Sequence, residues 1–281
     1  MKNIQWFPGH MTRAMRDMEA KRDLCDGVIC VLDARAPIAT VNKNLKKIFG
    51  EKPILYVLNK ADLADPNKTD AFMKFFESRG RYAVKCDSTN ISTKRVLIQK
   101  LNAITEEKRA RAQAKGLNRT FRFMIAGIPN TGKSSFINRM IGTSKAKVAD
   151  RPGVTKHNQW FNIGGGIELL DTPGVLWPKF DDPKVGDRLS FIGSVKDEVV
   201  DVETMAVRLI EVLAKDYTSM LTERYKLGNI DGLEDYEILE LIGRKRGMLI
   251  SGGEIDTERA ANTLLDEYRG GKLGKITLER P

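Results

Sequence analysis

The chain is poor in cysteine, poor in histidine and without a long apolar run. Its three cysteines, Cys25, Cys30 and Cys86, sit among 281 residues. They make no CxxC pair and no disulfide framework, which predicts free thiols in a reducing cytoplasm. The longest apolar run, Val28–Leu32, is about a quarter of the roughly 20 residues a membrane span needs, so no membrane partner is expected. The stretch 1–11 is polar and aromatic and lacks the apolar block of a signal peptide, which predicts a protein that is not secreted. Apolar residues at 41% and charged residues at 30% exclude disorder as the main state. What is abundant is positive charge: 47 Lys and Arg stand against 37 Asp and Glu, a net charge of +10. The excess is uneven. Residues 1–180 hold 32 basic and 16 acidic side chains, and residues 181–281 hold 15 and 21. A basic body with a mildly acidic remainder points either to a polyanionic partner or to a merely solvated basic surface.

The first 180 residues read as α/β. Val28–Leu32, Ile54–Leu58 and Phe121–Ala126 are short apolar runs between helical or polar stretches, the pattern of buried parallel strands. Asn158–Ile163 and Ile167–Asp171 read as a hairpin turning at Gly164-Gly165-Gly166. Residues 94–120 read as a basic helix and connector. Beyond about residue 185, Val202, Met205, Ala206, Leu209, Ile210 and Leu213 recur at helical spacing, as do Ala260, Ala261, Leu264, Leu265 and Tyr268. This predicts a separate, mostly helical domain.

Gly127-Ile128-Pro129-Asn130-Thr131-Gly132-Lys133-Ser134 is a G-x-x-x-x-G-K-S sequence between an apolar strand and a helical stretch, the context a P-loop requires. Its backbone N–H groups, those of Asn130, Thr131, Gly132, Lys133, Ser134 and Ser135 among them, are expected to cradle phosphates at a helix N-terminus. Lys133 is expected to reach the β- and γ-phosphates, and the Ser134 hydroxyl to bind Mg²⁺. Asn59-Lys60-Ala61-Asp62 directly follows the strand ILYVL. The Asp62 carboxylate can accept from guanine N1–H and N2–H₂, donors that adenine lacks, and the Lys60 stem can cover the base. Asp171-Thr172-Pro173-Gly174 ends the strand IELLD. Asp171 is expected in the Mg²⁺ shell and the Gly174 N–H at the γ-phosphate, with Thr155 the Mg²⁺-sensing hydroxyl of a first switch.

The order is unusual, because the guanine motif (59–62) precedes the P-loop (127–134) and DTPG (171–174). Three further segments accompany it: Trp6-Phe7-Pro8-Gly9-His10-Met11, Asp33-Ala34-Arg35 with Pro37, and Leu176-Trp177-Pro178-Lys179. Together these resemble the ribosome biogenesis GTPase A family, circularly permuted GTPases of the translation-factor-related class. The resemblance spans essentially the whole chain. It implies an α/β fold, a circularly permuted P-loop GTPase domain (1–180), followed by a small all-α domain (181–281) similar to RNA-binding antitermination modules. It implies a cytoplasmic, monomeric bacterial factor in late assembly of the large (50S) ribosomal subunit. GTP/GDP, Mg²⁺ and K⁺ are the implied cofactors, and the subunit precursor, its rRNA and ribosomal proteins the implied partners. One departure stands out. The base-backing loop, usually Ser-Ala, reads Cys86-Asp87-Ser88; Cys86 can fill the small-residue position while backbone N–H groups contact guanine O6.

Many GTPases position the attacking water with a Gln after DxxG; Val175 occupies that place and cannot. The chain's two histidines are His10 and His157. The resemblance implies that His10 reaches the site and orients water; His157, after the first switch, is the other candidate. His10, Lys133 and Thr155 form the expected catalytic set. In relatives, an Asn at the position of Asn130 helps coordinate a K⁺ ion in place of an arginine finger. The competing reading is a GTP-dependent RNA-binding switch with incidental hydrolysis. Candidate RNA contacts are the basic stretch 94–122, Gly243-Arg244-Lys245-Arg246-Gly247, and Arg13, Arg16, Lys21 and Arg22. Trp160, on a predicted strand, is expected to pack in the core or against a switch. Since the chain leaves DTPG through residues 176–180, a γ-phosphate at Gly174 would bias the helical domain's position.

Overall fold

Continuous apolar runs bounded by polar turns fold as strands buried on both faces, and these runs do so here. The computed structural model describes residues 9–87, 92–142, 159–176, 182–195 and 201–281, with 9–11 and 92 described in backbone only. Helix α1 (Gly9–Lys21) leads into β1 (Gly27–Asp33). Next come α2 (Asn44–Phe49), β2 (Ile54–Asn59), α3 (Pro66–Glu77) and β3 (Tyr82–Lys85). Helices α4 (Ser92–Ile104) and α5 (Glu106–Ala114) precede β4 (Phe121–Ala126), α6 (Lys133–Ile141), β5 (Gln159–Gly164) and β6 (Ile167–Asp171). The expected basic helix and connector are thus two helices, broken at Thr105. The Thr105 hydroxyl turns back onto the Leu101 carbonyl (2.9 Å), a local bond that competes with the helix ladder.

The six described strands form one sheet in the order β3-β2-β1-β4-β6-β5. All neighbours are parallel except β5 and β6. Their hairpin turns where expected, with Gly164, Gly165 and Gly166 all at positive φ. β1 and β4 are central, so the loops after β1, β2, β4 and β6 meet at one end of the sheet, the crevice where open α/β sheets bind ligands. The permutation therefore changes which strand comes first along the chain, not which loops become neighbours. Local chemistry sets the helix starts. At α3, Asp65 accepts from the Asn67 and Lys68 N–H groups (2.8 and 3.1 Å) and Pro66 occupies the first turn, a cap worth about 1 kcal/mol.

α7 (Pro183–Phe191), α8 (Val202–Asp216), α9 (Thr218–Tyr225), α10 (Asp235–Lys245) and α11 (Thr257–Arg269) follow. The periodic residues of α8 and α11 are buried, as expected, except Val202, which is half-buried. The helices do not form an isolated core. Leu209, Leu213 and Tyr268 belong to the same apolar cluster as Val28, Leu32 and Leu58 of the sheet. The chain then returns to the sheet. The Ile276 N–H donates to the Leu63 carbonyl (3.1 Å) and the Leu278 N–H to Arg35 (2.7 Å), and Glu279 accepts from the Ile38 and Ala39 N–H groups (2.6 and 3.0 Å).

All three cysteines are unpaired and buried, and no described helix is long and apolar enough to cross a membrane. One expectation needs correction. Trp160 is not core packing: it is 36% exposed on edge strand β5, with the Arg122 guanidinium 5.0 Å over its ring. A pattern of alternation cannot tell an edge strand from a central one. In the 243–247 island, Gly243 packs against Ile255, where an added Cβ would meet Cγ2 at 2.6 Å, while Arg244, Lys245 and Arg246 are exposed. Arg246 there also pairs with Glu267 (3.2 Å).

Candidate nucleotide-binding site

The end of β4 runs directly into the P-loop. Gly127 lies so close to β1 that a Cβ would meet the Val31 carbonyl oxygen at 2.6 Å. Gly132 has φ +86°, and a Cβ there would strike Asn59 Nδ2. These two glycines are required by close approach and by conformation, respectively. The loop closes on itself: Thr131 Oγ1 donates to the Ile128 carbonyl (3.0 Å), which leaves the Thr131 backbone, not its hydroxyl, for a ligand. Helix α6 then begins at Lys133. Its first N–H groups, Ser134 and Ser135 among them, have no intrahelical acceptor and suit an anion.

Lys133 is fully enclosed and donates to the Ile128 carbonyl (3.0 Å). Burial pushes its ammonium down to about 8, partly offset by the Asp171 carboxylate. A desolvated cation in a cradle of N–H groups is complementary to a polyphosphate. Gly174 borders the same space: a Cβ there would meet Lys133 Nζ at 2.8 Å and the Pro129 N at 3.0 Å. β6 brings Asp171 into register with Ile125 of β4. Thr172 Oγ1 donates to the Ile125 carbonyl (2.6 Å) and the Val175 N–H to Gly127 (3.2 Å), so DTPG lies alongside the P-loop. The Ser134 hydroxyl and the Asp171 carboxylate are hard oxygen donors. Among the described residues no group of three or more His, Cys, Asp or Glu could hold a metal. That donor set fits Mg²⁺, which binds through few protein oxygens together with substrate phosphate. Val175 is buried in the core, consistent with its being unable to orient water.

The guanine motif reaches the P-loop across β1. Asn59 Nδ2 donates to the Thr131 carbonyl (2.8 Å), and Lys60 Nζ to the Asn130 carbonyl (2.7 Å). Lys60 and Asn130 are two of the three described non-glycine residues at positive φ, +58° and +61°. Such strain persists only where neighbours hold it, typically at functional sites. Asp62 lies half-buried in the 3-10 turn Ala61–Leu63 that follows. Behind the turn, the Cys86 N–H donates to Leu58 (2.8 Å) and its carbonyl accepts from Ala61 (3.1 Å). The Cys86 thiol is buried in the core and pushed up to about 11 by that burial, so this position supports the turn through its backbone. Asp87 follows Cys86 at the same strand end.

The described site thus brings together Asn59, Lys60, Asp62, Cys86, Asp87, Asn130, Thr131, Gly132, Lys133, Ser134, Ser135, Asp171 and Gly174. His10 lies in the first turn of α1, with its side chain outside the described residues. Ser88, Thr155, His157, Trp6 and Trp177 also lie outside them. Two residues quoted only for their family resemblance prove structural to the site. Asp33, fully buried at the end of β1, pairs with Arg35 (2.8 Å) and with Lys60 (3.1 Å). Two cations beside it outweigh the cost of burial and hold its carboxyl well below the usual carboxylate range. An acidic residue directly after a buried strand run was the signal for this.

The comparisons agree with this geometry. A family model described as "50S ribosome-binding GTPase" matches residues 122–239. The match starts at β4 and leaves the guanine motif outside, as the permuted order requires. "Ribosome biogenesis GTPase A" of Bacillus cereus is 42% identical, covering 99% of this chain and 94% of the relative. The protein of that name from Thermotoga maritima is 32% identical, covering 99% and 95%. Two solved structures of YlqF from T. maritima are similar. The GDP-bound form matches with a TM-score of 0.69 and 30% identity, covering 95% of this chain and 99% of that one. The GNP-bound form matches with the same score and identity, covering 96% and 98%. With near-full-length relatives at 40–42% identity and the nucleotide loops arranged as a permuted GTPase needs, the chain belongs to the ribosome biogenesis GTPase A family.

Proposed function

We propose that this GTPase hydrolyses GTP with Mg²⁺ and K⁺ as an assembly factor for late maturation of the large ribosomal subunit. Residues 1–180 are its GTPase domain and 181–281 a helical domain that faces the pre-ribosomal particle. One observation carries the guanine assignment: Asn59 and Lys60 of the guanine loop are hydrogen-bonded to Thr131 and Asn130 of the P-loop (2.8 and 2.7 Å). The names of the relatives and the basic charge of residues 1–180 support the ribosomal reading.

Asp62 selects guanine through the two donors on one edge of the base. Lys133 and the N–H groups of the P-loop bind the β- and γ-phosphates. Ser134, Thr155 and Asp171 would hold Mg²⁺, which supplies charge neutralisation at the phosphate oxygens. Asn130 would hold K⁺ through its amide oxygen, since Nδ2 donates to the Gly193 carbonyl (2.6 Å). His10 orients the attacking water in the role Val175 cannot fill. With Val175 in place of the usual Gln, the intrinsic rate is low and rises on the particle. The exposed Trp160–Arg122 pair and residues 94–122 contribute RNA contacts.

GTP turnover in K⁺ buffer, with and without purified large subunits, tests the proposal. Strong stimulation by the large subunit and none by the small one is expected; slow turnover unchanged by either would overturn the ribosomal part. The buried Val175 favours a second reading, a switch with incidental hydrolysis. His10→Ala separates the two: lost turnover with retained GTP binding supports catalysis, and unchanged turnover supports the switch.

A further inference from the structure

The guanine loop and the P-loop are joined a second time, by a longer route through the helical region. Lys60 Nζ contacts both the Asn130 carbonyl (2.7 Å) and the Asp33 carboxylate (3.1 Å). Asp33 accepts from Arg35 Nε and Nη2 (2.9 and 2.8 Å). Arg35 Nη1 in turn donates to the Arg269 carbonyl at the end of α11 (3.0 Å), with its guanidinium 5.5 Å from the centre of the Tyr268 ring. The Arg269 guanidinium donates to the Phe191 and Ser190 carbonyls at the end of α7 (3.1 and 2.8 Å). Just beyond, the Gly193 carbonyl accepts from Asn130 Nδ2 (2.6 Å) and Ser194 Oγ donates to the Pro129 carbonyl (2.8 Å). The circuit is closed. It begins and ends on Lys60 and Asn130, the two strained residues that join the guanine loop to the P-loop.

The links favour joint formation. Asp33, Arg35 and Ser194 are all about 1% exposed or less, so a broken bond leaves a buried polar group that water cannot reach. The backbone of Lys60 and of Asn130 stays left-handed only while its surroundings hold it. Gly193, beside the end of α7, is one of the groups that hold Asn130. None of the bonds of this route is made by Gly174 itself.

We propose that Arg269 and Ser194 are positioning residues for the nucleotide site: they hold Lys60 and Asn130 through this circuit and couple guanine-nucleotide retention to the docking of α7 and α11. The inference rests on the GTPase reading above. By reciprocity, a partner that draws the end of α11 away from Arg35 loosens the nucleotide, and a bound nucleotide tightens α11.

The test uses the full chain, Arg269→Met and Ser194→Ala, and a fluorescent GDP analogue. Dissociation is followed by stopped flow after a chase with unlabelled GDP. Each variant should release the analogue about fivefold faster or more, and Arg269→Lys, which keeps a donor, should restore part of the retention. A merely structural role would lower the melting temperature without changing the preference for GDP over IDP. Loosening of the guanine loop narrows that preference. In the unaltered protein, GDP should slow amide exchange at residues 266–271, which needs no variant to fold. Tight GDP binding with release unchanged in both variants, and no protection at 266–271, would overturn the coupling alone. No GDP binding by the unaltered protein would overturn the GTPase reading itself, and the coupling with it.

Discussion

Asp33 and Glu267 are buried carboxylates that each hold two cations, and they do different work. Asp33 holds Arg35 (2.8 Å) and Lys60 (3.1 Å); Glu267 holds Arg224 (2.6 Å) and Arg246 (3.2 Å). The chemistry is the same and the address differs. The partners of Glu267 come from α9 and from the residue that ends α10, so its cluster ties helices together within one region. The partners of Asp33 come from the loop after its own strand and from the guanine motif, so its cluster connects a ligand site to distant structure. A buried ion pair is weak evidence for stability by itself. The comparison shows that its meaning lies in which elements the pair joins.

The largest expected effect breaks the Asp33 cluster. Asp33→Asn strands the Arg35 guanidinium in the core and should cost about 3–5 kcal/mol, read by denaturant unfolding, together with weakened GDP binding read by fluorescence titration. Stability with no loss of nucleotide affinity would erase the distinction between the two clusters. Glu267→Gln should cost less, about 1–2 kcal/mol, because Arg224 and Arg246 remain about a third exposed and solvent screens them. GDP affinity should stay within about twofold.

Acid titration sharpens the same contrast. The cations beside Asp33 lower its carboxyl in the folded state, so the protein binds fewer protons there than the unfolded chain does. That stability is present above the unfolded value near 3.9 and is lost as pH falls below it. Asp33→Asn should therefore show a flatter stability profile below about pH 4 than the unaltered protein, measured by urea midpoints across pH 3–6.

A glycine pair separates site from scaffold at smaller scale. Gly243→Ala forces a Cβ against Ile255 Cγ2 (2.6 Å) and should destabilise the helical region by about 1–3 kcal/mol with turnover retained. Gly174→Ala crowds Lys133 Nζ (2.8 Å) and the Pro129 backbone N (3.0 Å), so GTP turnover should fall, with a stability cost of about 1 kcal/mol. The smallest effect is expected at Trp160→Ala, within about 0.5 kcal/mol by thermal melting.

The sheet and the nucleotide loops were legible because their signals are local. A glycine-rich loop between strand and helix, and NKxD after an apolar run, state their chemistry within eight residues. Spacing also revealed α8 and α11. The rest depended on contacts distant in sequence. The alternation around Trp160 carries no mark of an edge strand. Arg246 read as a free basic site because its partner Glu267 lies on another helix. Nothing local to residues 276–279 announces that they bond to Leu63, Arg35 and the Ile38–Ala39 turn. Asp33 and Arg35 were visible as a motif, but their role required knowing that Lys60 and α11 converge on them.

The central claim, that Asp62 reads guanine beside this P-loop, is tested most directly by exchanging its chemistry. Asp62→Asn replaces an acceptor by an amide that can donate to the C2 carbonyl of xanthine. GDP and XDP affinities of the unaltered and substituted proteins should cross, with GDP weakened at least about tenfold and XDP gained. Unchanged GDP preference in Asp62→Asn would contradict the account.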